Sequence, residues 1–246
     1  MRRFFIDENA ITDDTALVTG NLFCHMTRVL RLKIGTRVIL SDGTGKRHVG
    51  SISTIGKDCL TVTITKSSAE PEKTSGPLLT LYQGIPKGSK MEFILQKCTE
   101  LGADSFVPYI SERSVARLPK DREADRLERW RRIIREAARQ SNRTAVPLLS
   151  PVKDFSELFG TADQAVKLLL WEEEKSNRLR SVLGSLPRPD SVVLLVGPEG
   201  GLSREEAAAA EASGFIPVTL GTRILRTETA GIALLAVLQF YWGDMG

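Results

Sequence analysis

Near residue 70 the rhythm of hydrophobic and polar positions changes. Before it come short β-like runs: Arg37 to Leu40, His48 to Ile55, and Cys59 to Thr65. In the last run Val62 and Ile64 alternate with Thr61, Thr63 and Thr65, which turns one face inward and leaves the other wet, as in a half-buried strand. Asp42-Gly-Thr-Gly45 and Gly56-Lys-Asp58 supply turn residues between the runs. A small all-β module, a compact barrel, is predicted over residues 1–70. Ser67 to Pro77 is polar, holds two prolines and a glycine, and has no apolar period. It reads as a boundary, with a linker at 71–77 and a second domain over 78–246.

In that second domain strand and helix patterns alternate. Leu78 to Tyr82, Ser105 to Ile110, Val166 to Trp171, Val192 to Val196 and Phe215 to Leu220 read as strands. Met91, Ile94, Leu95, Cys98 and Leu101 recur at helical spacing, with Gly102 as a stop. Ser203 and Glu206 form a capping-box pattern at the head of an alanine-rich helix. Such alternation predicts an α/β fold, a parallel sheet with helices on both faces. The stretch Ile232 to Trp242 is apolar on nearly every side, so a helix there must be covered by more than one neighbour.

Two loops carry the candidate chemistry. One follows an apolar strand as Gly197-Pro-Glu-Gly-Gly201, where three glycines let backbone amides approach a ligand with no Cβ in the way. The other is Leu220-Gly-Thr-Arg-Ile-Leu-Arg-Thr-Glu-Thr-Ala-Gly231. Both sit at the C-terminal ends of strands, where ligands of α/β sheets bind. An ordinary tight turn also accommodates the glycine cluster taken alone.

Together these motifs resemble the cofactor loops of the SPOUT methyltransferases. Within them the chain is similar to the RsmE family, which methylates N3 of a uridine in the 16S ribosomal RNA of the small subunit. The likeness extends to Pro86-Lys-Gly-Ser-Lys-Met91, Thr99-Glu-Leu-Gly102 and the basic start Met1-Arg-Arg-Phe4. It implies a PUA-like RNA-binding barrel at the N-terminus, a C-terminal trefoil knot, S-adenosyl-L-methionine as cofactor and a homodimer; the hydrophobic pattern alone does not call for a knot. It further implies cofactor contacts at Leu170, Gly197, Pro198, Glu199, Gly200, Gly201, Leu220, Gly221, Ile224, Leu225, Arg226, Thr229 and Ala230. Uracil N3 carries a proton on the pairing edge, so the target base must be unpaired and the proton must leave. Arg226 can stabilise the uracil oxyanion, and Glu199 or Glu228 can accept the proton, although Glu228 equally suits a helix N-terminus. A ribose 2′-O-methyltransferase of the same superfamily, or a non-catalytic RNA-binding protein with a degenerate pocket, fits the same loops.

Charge adds a partner to this picture. The formal net charge is +4, yet Glu112 to Arg143 holds ten arginines and one lysine against six acids. On a helix with apolar face Leu127, Trp130, Ile133, Ile134 and Ala137, many of these arginines fit a solvated face laced with i,i+4 pairs. Guanidinium also suits bidentate phosphate contact, and Arg113 and Arg143 at the segment ends are RNA candidates. Arg2, Arg3, His25, Arg28 and Arg31 form a second basic group, and Lys87 with Lys90 a third. Three cysteines lie far apart and only two histidines occur, which disfavours disulfides and a zinc site. No apolar run approaches the length of a membrane span, and the N-terminus lacks a signal-peptide core, so a cytoplasmic protein is expected. Walker, Rossmann and α/β-hydrolase motifs are missing.

Overall fold

The computed structural model describes residues 1–69, 76–114, 122–159 and 165–246. Apart from Gly76 and Pro77, the predicted linker at 71–77 lies outside the described residues. The chain forms two compact units: Met1–Lys73 with Ala138–Val146, and Thr74–Ala137 with Pro147–Gly246. The return of Ala138–Val146 to the first unit has no hydrophobic signature in sequence. It is made by polar contacts, with Val146 N donating to Gly43 O at 3.1 Å and the Arg3 guanidinium to Asn142 O at 2.7 Å.

The first unit holds β1 (Arg2–Phe5), β2 (Ile11–Thr12), β3 (Thr15–Thr19), α1 (Gly20–Cys24), β4 (Arg37–Ser41), β5 (Lys46–Ile55) and β6 (Cys59–Ala69). They form one six-stranded sheet in the order β1-β4-β5-β6-β3-β2, antiparallel except for β1 beside β4. Val62 and Ile64 point into its core with Phe4, Val18, Met26, Val38, Leu40 and Ile52, while Thr63 and Thr65 are exposed. The predicted turn at Asp42 is built by the Asp42 carboxylate, which accepts from Thr44 N and Thr44 Oγ1, both at 2.8 Å. After α1 the backbone widens into a π-helical turn, His25–Val29, and Arg31 adopts a left-handed φ of 52°. His25, Arg28 and Arg31 therefore do not share one regular helical face.

The second unit is a seven-stranded, all-parallel sheet: β7 (Leu78–Gly84), β8 (Ser105–Ile110), β9 (Leu148–Leu149), β10 (Lys153–Asp154), β11 (Val166–Leu170), β12 (Ser191–Val196) and β13 (Ile216–Val218). Six of them run β10-β8-β7-β12-β11-β13, and β9 pairs with β8. The helices are α2 (Lys90–Glu100), α3 (Glu123–Gln140), α4 (Leu179–Ser185), α5 (Arg204–Ala212) and α6 (Thr227–Trp242). One face of the sheet, with Tyr82, Leu169, Val193 and Leu195, packs on α5 through Ala207 and Ala210. The other faces α6, where Gly231 lies against Leu81 and Gln83. The capping box at α5 forms as predicted: Ser203 Oγ accepts from Glu206 N, and the Glu206 carboxylate accepts from Ser203 N. The last helix begins at Thr227, five residues before the apolar run, because its polar first turn is helical despite breaking the hydrophobic pattern. The strand at 166 stops at Leu170, leaving Trp171 outside. Among the described residues no helix is long and apolar enough to cross a membrane.

Candidate active site

The C-terminal ends of β7, β11 and β12 open side by side, and the chain leaves them through the segments 85–90, 171–178 and 197–203. The segment 219–226 follows β13 and leads into α6. Both glycine-bearing loops named from the sequence thus meet at one edge of the sheet. The glycines at this edge have different reasons to be there. A Cβ on Gly84 would lie 2.6 Å from Pro198 N, and one on Gly200 would lie 2.9 Å from Arg113 O. At these two positions protein backbone, not an open pocket, excludes a side chain. Gly201 has φ +68° with the Glu172 carboxylate against its missing Cβ. Gly221 is the open one: its φ is +135° and no heavy atom lies within 4 Å of where a Cβ would stand.

A buried hydrogen-bonded relay ties the loops to α6. Gln83 Nε2 donates to Gly84 O and to Thr227 Oγ1, both at 2.9 Å, and Thr227 Oγ1 donates to Gly197 O at 2.6 Å. The Tyr109 hydroxyl donates to Val196 O at 2.9 Å one residue upstream. Neither Gln83 nor Thr227 figured among the sequence-derived site residues. The available signal was a glutamine next to last in an apolar strand; Gln83 is fully buried, and a buried amide needs partners.

Charged groups gather at the same edge. Glu199 accepts from Lys87 N at 3.1 Å and from Lys90 Nζ at 2.8 Å. Lys90 Nζ also stands 3.9 Å from Glu228 Oε2, a buried oxygen with no hydrogen-bond partner. Burial by itself would raise the Glu199 carboxyl. The hydrogen bonds from Lys90, its own amide and Lys87, with the Lys90 charge, outweigh burial and hold it below the ordinary carboxylate range. Glu199 is therefore a weak proton acceptor, whereas Glu228 sits in the first turn of α6 with an oxygen to spare. Arg226, the N-cap residue of α6, is exposed.

The remaining predicted positions distribute as follows. Leu170, Leu220 and Leu225 are half-buried, Pro198 and Ala230 are buried, Thr229 is exposed and Ile224 is 82 % exposed. Lys87, Lys90 and Arg113 belong to the same unit as these loops, with Lys90 committed to Glu199. Arg2, Arg3, His25, Arg28, Arg31 and Arg143 belong to the other unit. Arg2, Arg28 and Arg31 are exposed, His25 and Arg3 half-buried. Arg143 is only 7 % exposed, rather than presented on the surface as its place in an arginine-rich segment suggested. No three His, Cys, Asp or Glu side chains are grouped to hold a metal ion among the described residues.

Comparison with known proteins gives this geometry a lineage. Residues 74–239 match a family model described as an RNA methyltransferase domain, and residues 18–65 match an RNA methyltransferase PUA domain. The ribosomal RNA small subunit methyltransferase E of Bacillus subtilis is 32 % identical over 98 % of this chain and 96 % of its own length. That of Synechocystis is 33 % identical over 96 % of this chain and 77 % of its own. The crystal structure of the Neisseria gonorrhoeae enzyme of that name, bound to S-adenosyl methionine, superposes with a TM-score of 0.85 at 34 % identity, covering 99 % of both chains. A putative methyltransferase from Legionella pneumophila with the same cofactor gives 0.84 at 32 %, covering 98 % of both. With both domain models matched and relatives aligned nearly end to end, the chain belongs to the ribosomal RNA small subunit methyltransferase E family.

Proposed function

We propose that this protein transfers a methyl group from S-adenosylmethionine to N3 of a uridine in the 16S RNA of the small ribosomal subunit. The carrying observation is the sheet edge itself: an open backbone at Gly221 beside exposed Ile224, with Glu228 and Arg226 at the start of the helix that follows. These residues fit the cofactor. Open backbone can hydrogen-bond the adenosine, and Leu170, Leu220, Ile224 and Leu225 offer it apolar cover, while Gly197 to Gly201, Thr229 and Ala230 complete the cradle. When bound, the cofactor supplies an electrophilic methyl carbon, so the protein's tasks are alignment, exclusion of water and proton removal.

Uracil N3 loses its proton as it gains the methyl group. Glu228 accepts that proton in this reading, because Glu199 is held ionised by Lys90 and spends its oxygens on the 86–90 loop. Arg226 offers its guanidinium to the charge that develops on the uracil oxygens. Arg2, Arg3, His25, Arg28 and Arg31 in a barrel spanning about 1–70, with Lys87 and Arg113 in the 78–246 domain, provide the RNA-binding charge. Arg143 is counted with them in this reading, although it is only 7 % exposed. Lys90 serves Glu199 before it serves RNA. We further propose that α6 closes a trefoil knot and seats Val237, Phe240 and Tyr241, all exposed and apolar, on a second copy of the chain in the cytoplasm.

The test is methyl transfer from labelled cofactor to small ribosomal subunits from cells lacking the enzyme, followed by nucleoside analysis. Labelled 3-methyluridine is the expected product. A 2′-O-methylated nucleoside would instead assign the ribose reaction, and no label in any nucleoside would remove the enzymatic reading.

A further inference from the structure

The loop that carries Lys87 and Lys90 has a second side. Toward the cofactor loop it gives Lys87 N and Lys90 Nζ to Glu199. Its Gly88 and Ser89 line a cleft of about 450 Å³, closed opposite by the start of α3 and the turn before it. Trp130, 2 % exposed, contributes the apolar floor.

The charges lining this cleft are not all committed. Arg129 is engaged, its Nη2 2.9 Å from Glu92 Oε2. Arg122 and Arg126, one helical turn apart on the same wall, make no side-chain hydrogen bond or ion pair among the described residues. Among the described residues Asp125 is the one acid of the lining without such a partner, and the Lys87 ammonium stands next in the chain to Gly88. Unpaired cations thus outnumber unpaired acids at this spot. Ser89, the N-cap of α2, makes no side-chain cap, so the positive end of that helix adds to the same field. Two guanidiniums without partners among the described residues, over an apolar floor and beside an uncapped helix start, suit an oxyanion with several acceptor oxygens.

We propose that this cleft holds a backbone phosphate of the RNA substrate, close along the strand to the nucleotide being methylated. The assignment rests on the RNA methyltransferase reading above. One short loop separates the cleft from Glu199, so a strand whose target base reaches the cofactor loop passes Gly88 and Ser89 within a nucleotide or two. Arg122 and Arg126 then position the strand and touch neither cofactor nor reacting atoms.

The full-length protein tests this with two variants: the double replacement Arg122→Gln with Arg126→Gln, and Asp125→Asn. Two readouts are used, binding of a fluorescent oligouridylate across a salt series and steady-state methyl transfer to undermethylated small subunits. Removing both arginines should lower the slope of log affinity against log salt by about 1.4, since each lost contact on single-stranded RNA is worth about 0.7. KM for subunits should rise about tenfold or more with kcat within twofold, and calorimetric affinity for S-adenosylmethionine should not move. Asp125→Asn should act oppositely and tighten RNA binding, a sign that a merely structural role would not produce. An unchanged slope and KM in the double-arginine variant, with wild-type enzyme active, would overturn the subsite. A wild-type protein that transfers no methyl group, but whose RNA slope still falls in the variant, would sink the enzymatic reading and leave the cleft as an RNA site.

Discussion

Glu199 and Glu228 are alike in chemistry and unlike in surroundings, and the difference sets their roles. Because Glu199 is hydrogen-bonded to Lys90 and Lys87 while Glu228 keeps a buried, unbonded oxygen, Glu228→Gln should lower single-turnover methyl transfer about 100-fold or more while leaving cofactor affinity nearly intact. Equal losses in both quantities would make Glu228 a binding residue. Asp42 carries a different prediction. Burial would raise its carboxyl, but the hydrogen bonds from Thr44, His48 and Lys46 outweigh it and depress the value. A carboxyl lowered on folding adds stability that is complete above its unfolded value of about 4 and is lost as pH falls through the lower folded value. Chemical denaturation of wild type should therefore weaken below that pH, and Asp42→Asn should be less stable near neutrality with a shallower acid decline. The two acids also show what single residues disclose. Asp42-Gly-Thr-Gly45 announced a turn through local chemistry, because Asx side chains bond to backbone two residues on. The choice between Glu199 and Glu228 depended on Lys90, more than a hundred residues away in sequence, and no local pattern contains that information.

Among the elements, α6 does the most work for its length. Its first turn brings Thr227 onto Gly197 O and Gln83, so one helix start registers two strand ends. Thr227→Val keeps the shape and deletes the hydroxyl. It should weaken cofactor binding about tenfold, the scale of about 1–1.5 kcal/mol for a lost buried hydrogen bond, and Thr227→Ser should restore it. Calorimetry on both variants decides this; normal affinity in Thr227→Val would reduce the relay to a fold contact. Eight strands and the helix at Ser203 were legible because periodicity and capping are local, whereas the short strands β1, β2, β3, β9 and β10 carry no clear period. The start of α6 was not, since Thr227, Glu228 and Thr229 break the apolar run while still forming helix. Nor was the reason for Gly200, whose missing side chain makes room for Arg113 O from another segment.

At the scale of the whole molecule, α6 leaves Val237, Phe240 and Tyr241 exposed, 38 %, 66 % and 46 % respectively. Light scattering should give about twice the 27.1 kDa of one chain, and Phe240→Glu should shift it to monomer, since a buried unpaired charge is costly at an apolar interface. A wild-type mass of one chain at micromolar concentration would reject the dimer. The two-part organisation could be read from the change in rhythm near residue 70. The return of Ala138–Val146 to the first unit could not, because it depends on backbone pairing with Gly43 that leaves no trace in composition.

The place of β12 in the sheet has a consequence for biogenesis. It pairs with β7 in the register Leu78 with Ser191, so β7 lacks this neighbour until more than a hundred further residues have been made. Until then an apolar strand edge stays open on the nascent chain, and parallel pairing across such separations is slow and prone to aggregation. Substitutions that slow the docking of Ser191–Val196 should thus reduce soluble yield more than they reduce the stability of protein that has already folded.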